Sequence, residues 1–186
     1  LMNVNAFGDA VPSARFMGGR EFEIIMDQRE SVCERSEAEA VLDEHIMLFP
    51  AVEARSGPFQ GRDGYWNVDE AGLSDGERFA AVSNYLALVT ADMLATIGAD
   101  GPIIVEGPFA QNECFLTMLQ AAAKKPVEIQ NTSATGTAIG ASLLISGESG
   151  GRAAAREAPR TDIACVPADP ALEAYAKAWR ERVRTA

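Results

Sequence analysis

Chemistry in this chain would have to come from two glycine turns and a few scattered polar side chains. The first turn is Glu106-Gly107-Pro108, between the apolar run Pro102-Ile103-Ile104-Val105 and a helical pattern that opens at Asn112. Gly107 permits a positive φ or close backbone approach, and Pro108 stops the strand. A helix start offers unpaired N–H groups and a partial positive charge, worth about 0.3–1 kcal/mol to a nearby anion. The second turn is Met17-Gly18-Gly19, leading into a helix from Arg20 to about Asp27. Either turn could meet a ligand, and either could be no more than a tight connection between elements.

Other reactive side chains are sparse. His45 is the only histidine and follows Asp43-Glu44 at a polar helix end, which reads as a solvated surface position. Cys33, Cys114 and Cys165 are odd in number and far apart, with no CxxC pair. A zinc site is therefore not expected, and a reducing compartment is favoured. No GxGxxG follows a strand and no GxxxxGK[ST] occurs, so the dinucleotide and P-loop fingerprints are both missing.

The elements that must position these residues alternate between strand and helix patterns, as in a layered α/β domain. Pro102 to Val105 reads as a strand covered on both faces. From Asn112, Phe115, Leu119 and Ala122 recur at helical spacing, and the helix stops before Pro126. Val127 to Ile129 is the next strand. Thr132-Ser133 offers capping hydroxyls to a helix carrying Gly136, Gly140 and Ala141. In the first half, Phe22, Ile25 and Met26 form the inner face of the helix after Gly19. Ser36 and Glu39 match a capping box, and Ile46 to Phe49 is a buried strand ending at Pro50. Glu77 to Gly98 is the strongest helix, with Phe79, Val82, Leu86, Val89, Met93 and Ile97 stepping by three or four. The loop from Ala51 to Gly76 is long enough to suggest function or tight packing. Its Phe59, Tyr65 and Trp66 would pin it to the domain or line a cleft. Ser146 to Arg160 reads as a surface loop. Asp169 caps a last helix with Pro170 at its first position and Leu172, Tyr175, Ala176, Trp179 and Val183 on its inner face.

At 186 residues the chain is read as a single domain, 1–186, with a sizeable core. A net charge of −11 argues against nucleic acid or an anionic membrane surface as partner. It leaves room for a nucleotide held by backbone amides and a metal ion. No membrane span or signal peptide is expected. Leu1-Met2-Asn3-Val4-Asn5 looks like the middle of a strand, so the protein is expected to begin upstream.

Taken together, Val105-Glu106-Gly107-Pro108-Phe109-Ala110-Gln111-Asn112 and Thr135-Gly136-Thr137-Ala138-Ile139-Gly140-Ala141-Ser142 resemble the C-terminal domain of FGGY-family carbohydrate kinases. Lys125-Pro126-Val127 and Ala138-Ile139-Gly140-Ala141 match that pattern in order and spacing. The resemblance extends through Phe16-Met17-Gly18-Gly19-Arg20-Glu21-Phe22-Glu23, the Gly/Pro-rich loop and the closing Asp169-Pro170…Tyr175 helix.

The resemblance implies a ribonuclease H-like lobe of the actin/hexokinase ATPase type, α/β, with a central mixed sheet and flanking helices. It implies ATP and Mg2+ as cofactors, a small sugar or polyol as substrate, and a cytoplasmic setting, with a homo-oligomer left open. Gly107 and Asn112 match positions that contact the adenosine part, with Pro108 in place of a usual second glycine and Gln111 beside them. Gly19 and Glu23 match positions next to the nucleotide, where the family often has glutamine instead of Glu23. The general base and most sugar contacts belong to the other lobe, so the chain alone is expected to be inactive. Two alternatives stay open: a non-catalytic binding or assembly module of the same fold, and another actin-like ATPase.

Overall fold

The computed structural model describes residues 1–129, 141, 144–146, 161–162 and 169–185. Among the described residues five helices dominate: α1 (Gly18–Met26), α2 (Arg35–Asp43), α3 (Asp75–Thr96), α4 (Glu113–Ala123) and α5 (Pro170–Thr185). The strands are short. β1 (Met2–Val4) and β2 (Ala10–Pro12) form an antiparallel hairpin, and β3 (Leu48–Phe49) pairs antiparallel with β4 (Tyr65–Trp66). β5 (Ile103–Val105) runs parallel to β6 (Val127–Ile129), which pairs antiparallel with β7 (Thr161–Asp162). The chain is thus α/β with one mixed sheet.

The centre is not that sheet but α3. Its residues from Ala80 to Val89 are buried without a break, because α1, α2 and α4 surround it. The small side chains Ala80, Ala81, Ser83 and Ala87 let the neighbouring helices approach. By length and hydropathy α3 could cross a membrane, yet 67% of its apolar window is buried inside the fold. It is a core helix. The expected central sheet is, among the described residues, three strands open on one side. Val105 is buried, while Ile104 on the opposite face is 41% exposed. The unbroken apolar run therefore did not mean a strand covered on both faces.

Three helix starts correct the sequence reading: α1 begins at Gly18 rather than Arg20, and α2 and α3 also begin earlier than expected. α2 begins at Arg35, with Glu34 rather than Ser36 as N-cap, and the N–H of Glu34 donates to Oε2 of Glu37 at 2.8 Å. Glu37, not Glu39, is chosen because its carboxylate also accepts from the Ser74 hydroxyl at 2.6 Å and so joins α2 to α3. That second bond holds the Glu37 carboxyl below the usual carboxylate range. α3 starts at Asp75, earlier than Glu77, and Ser74 and Glu77 form its own capping box.

The other boundaries follow their signals. Gly98, with φ of +66°, ends α3, and Oδ1 of Asp169 caps α5 by accepting from the Ala171 N–H at 2.9 Å. The aromatics of the 51–76 loop pin it to the domain. Phe59 meets Trp179 edge-on at 6.1 Å, Tyr65 stacks on Phe49 at 4.9 Å, and the Arg78 guanidinium lies over Trp66. The expected helix start at Thr132-Ser133 and most of the 146–160 loop lie outside the described residues.

Candidate functional site

The Gly107 turn and the start of α1, where Gly18 and Gly19 are helical rather than the expected turn, come together through Phe22. Its ring meets Phe109 edge-on at 5.7 Å and Phe79 at 5.8 Å. Helix α1 therefore lies against the short 3-10 turn Pro108–Gln111. Gly19 and Glu23 are one helical turn apart on the exposed side of α1. Gly107, Pro108 and Gln111 are exposed as well. Five of the six predicted site residues thus face solvent, on two elements that meet at the Phe22–Phe109 contact.

The glycines differ in why they are glycine. Gly107 has φ +78° and ψ −159°, a combination open essentially to glycine alone. Its backbone is reason enough. A Cβ on Gly18 would come within 2.8 Å of the Phe16 ring, so packing fills that position. A Cβ on Gly19 would meet no heavy atom within 4 Å, and its φ is not in the left-handed region. Nothing among the described residues requires glycine at Gly19, where alanine would favour the helix by up to about 1 kcal/mol.

Asn112 is the exception among the predicted residues. It is buried, its Oδ1 accepts from the Phe115 N–H at 2.9 Å, and its Nδ2 donates to the Ser83 hydroxyl at 2.8 Å. The side chain caps α4 and fastens it to α3. It supports the turn from beneath.

Glu21 was not among the site residues read from sequence, and the cysteines that sequence placed far apart include a pair, Cys33 and Cys114, that the fold brings together. Glu21 is buried between α1 and α3, and no local pattern marks it, because its partners lie 32 and 64 residues away. Cys33, on the segment after α1, lies beside Cys114 in the first turn of α4. Burial and the neighbouring thiol push Cys33 up to about 12, and burial raises Cys114. Both are poor nucleophiles at neutral pH. His45 is exposed, as expected, and sits near Tyr175 rather than near the glycine turns.

A cavity of about 620 Å³ lies at the far end of α4, lined by Arg62, Asp92, Lys125 and Arg180 among others. Its cations serve helix ends. Arg62 donates to the Val183 carbonyl, Arg180 to the Ala122 carbonyl and to Asp92, and Lys125 to the Ala99 carbonyl. Those bonds account for the cluster.

The family model for the carbohydrate kinase FGGY C-terminal domain matches residues 1–155. The chain belongs to this family. Among solved structures, a carbohydrate kinase from Novosphingobium aromaticivorans is similar over 100% of this chain and 40% of its own, with 28% identity and a TM-score of 0.74. The xylulose kinase from Rhodospirillum rubrum is similar over 90% of this chain and 36% of its own, at 13% identity and a TM-score of 0.56, which bears on the fold alone. No match was found among curated proteins. This FGGY domain thus spans about two fifths of the length of the kinases it resembles. Helix α5 lies beyond the residues matched by the family model but within the similarity to the Novosphingobium structure.

Proposed function

We propose that this chain is the nucleotide-binding lobe of an ATP-dependent carbohydrate kinase, with the ribonuclease H-like architecture of actin-type ATPases. The whole enzyme would transfer the γ-phosphoryl group of ATP to a hydroxyl of a sugar or polyol. Gly19 carries the structural side of this reading: an exposed glycine with no internal reason to be one, on the helix face beside the Gly107 turn. A ligand that must approach the α1 backbone closely would supply that reason.

The residues fit the adenosine end of a nucleotide better than its phosphates. Backbone at Gly19 and Gly107 can lie against a flat ring or a ribose. The Gln111 amide can donate and accept, and the Glu23 carboxylate can accept from an amino or hydroxyl group. Pro108 has no N–H to offer a phosphate, and Glu23 would repel one. Among the described residues no three His, Cys, Asp or Glu side chains cluster to hold a metal ion. Bound ATP would supply the transferable phosphoryl group, and these residues would orient its nucleoside. Phosphoryl transfer depends chiefly on positioning and charge stabilisation. The base and sugar contacts are assigned to the remainder of the kinase, so the isolated chain should show no sugar-dependent turnover.

Thermal unfolding with Mg-ATP tests the reading. Ligand at 100 times its dissociation constant stabilises by about 2.7 kcal/mol, which for a domain of this size raises Tm by roughly 5–10 °C. A well-folded sample whose Tm ignores millimolar Mg-ATP would overturn it. That result would favour the assembly-module reading, which Pro108 and the internally engaged Asn112 support.

A further inference from the structure

We propose that Glu21 is a positioning residue for the nucleotide face of α1, its buried carboxylate fixing where Gly19 and Glu23 are presented. The inference rests on the nucleotide-binding reading above. Glu21 is 2% exposed and lies in the first turn of α1, two residues from both Gly19 and Glu23. Its Oε2 accepts from the Tyr85 hydroxyl at 2.7 Å, in the buried middle of α3. Its Oε1 accepts from the Glu53 N–H at 3.2 Å, in the loop after β3. One carboxylate thus draws α1 onto the central helix and onto the following loop. α1 has nine residues and its N-cap makes no side-chain bond, so the Glu21 carboxylate acts beside the ring packing of Phe16 and Phe22 in fixing where the helix starts.

Stability alone does not account for a carboxylate here. Burying one is costly even when paired, and an apolar residue of similar size is often neutral or better. Consistent with that cost, burial raises the Glu21 carboxyl above its ordinary range, against the lowering effect of its two hydrogen bonds. The groups facing it are the Tyr85 hydroxyl from α3 and the Glu53 backbone and carboxylate from the loop. Glu53 is itself near Arg20 at 3.7 Å and Arg55 at 3.9 Å. A raised carboxyl stabilises the fold once protonated: the gain grows as pH falls through the folded value and is complete below the unfolded one. The same protonation turns one acceptor into a donor and slackens the tether. Stability and positioning therefore move in opposite directions.

The 186-residue chain can be tested directly in three forms: wild type, Glu21→Gln and Tyr85→Phe. The measurements are thermal unfolding, amide hydrogen exchange of Gly18–Met26, and adenosine affinity from amide shift titration. Adenosine carries no phosphate, so its own charge does not change over the pH range used. Glu21→Gln is expected to unfold at the wild-type temperature or higher, while α1 amides exchange about tenfold faster and adenosine binds about tenfold more weakly. Tyr85→Phe should move exchange and affinity the same way by less. Wild-type affinity should fall as pH drops from about 8 to a value still above the ordinary carboxylate range, so that the Glu23 carboxylate keeps its charge, and over that span the affinity of Glu21→Gln should stay flat. Unchanged α1 exchange in Glu21→Gln overturns the tether whatever adenosine does. So does a variant whose α1 exchange only tracks a lowered global stability. A wild-type chain that shows no adenosine response overturns the nucleotide reading instead, while faster α1 exchange in the variant would still support the tether.

Discussion

Adjacent glycines at the start of α1 do different work, and the difference is measurable. Gly18 is occupied by the Phe16 ring, so a methyl group there forces the ring to move. Gly19 faces open space, so a methyl group there meets nothing and spares the unfolded chain some freedom. Gly19→Ala should therefore raise stability by up to about 1 kcal/mol in urea unfolding. It should at the same time weaken Mg-ATP binding, since the methyl group stands where the nucleoside would lie. Equal nucleotide affinity in Gly19→Ala and wild type would remove the main structural support for the site. Spacing placed both glycines at the helix start without separating them, and the family resemblance chose Gly19. Only the position of the Phe16 ring, fixed by packing, shows which one is left without an internal reason.

At the scale of elements, the join between α3 and α4 is held by Asn112, which caps one helix and bonds the Ser83 hydroxyl of the other. Asn112→Ala removes a cap worth about 1 kcal/mol and leaves the buried Ser83 hydroxyl short of a partner. A loss of roughly 2–3 kcal/mol is expected in urea unfolding, and a loss below about 0.5 kcal/mol would contradict the capping role. Long helices were the legible part of the sequence because α3, α4 and α5 carry many turns of periodic signal. The cap at Asp169 and the glycine stop at Gly98 were legible for the same local reason, whereas Asn112 was read as a nucleotide contact and shows its capping role only in the structure. The capping box of α2 was not. Ser36-x-x-Glu39 and Glu34-x-x-Glu37 compete within one short stretch, and the Ser74 hydroxyl, 37 residues from Glu37, helps decide between them. β3 was legible from the apolar run ending at Pro50, but two-residue strands such as β4 and β7 are too short to show a period, and the exposure of Ile104 depends on what covers the sheet.

Over the whole molecule, α5 closes the core, although it lies beyond the residues that the family model matches. Tyr175 donates to the Ile46 carbonyl at 2.6 Å and Trp179 to the Leu48 carbonyl at 2.8 Å, so the last helix satisfies the backbone leading into and along β3. The Trp179 ring is wholly buried and lies near Phe49, Phe59 and Tyr85, joining strand, loop and central helix. Those neighbours also support the Glu21 tether, because Tyr85 touches both. Trp179→Ala should cost about 3–5 kcal/mol through the cavity and the lost contacts. The Leu48 carbonyl would also lose its partner. Against a total of about 5–15 kcal/mol for a typical protein, that loss leaves the fold marginal. Trp179→Phe keeps most of the ring contacts and should cost clearly less. Urea unfolding gives both values, and the near-ultraviolet spectrum shows whether the aromatic cluster stays ordered. If Trp179→Ala unfolds like the wild type, α5 is a peripheral helix and the core ends at α3 and α4. If it unfolds early and α1 exchange rises with it, the Trp179–Tyr85–Glu21 contacts join the closing helix to the nucleotide face in one cooperative unit.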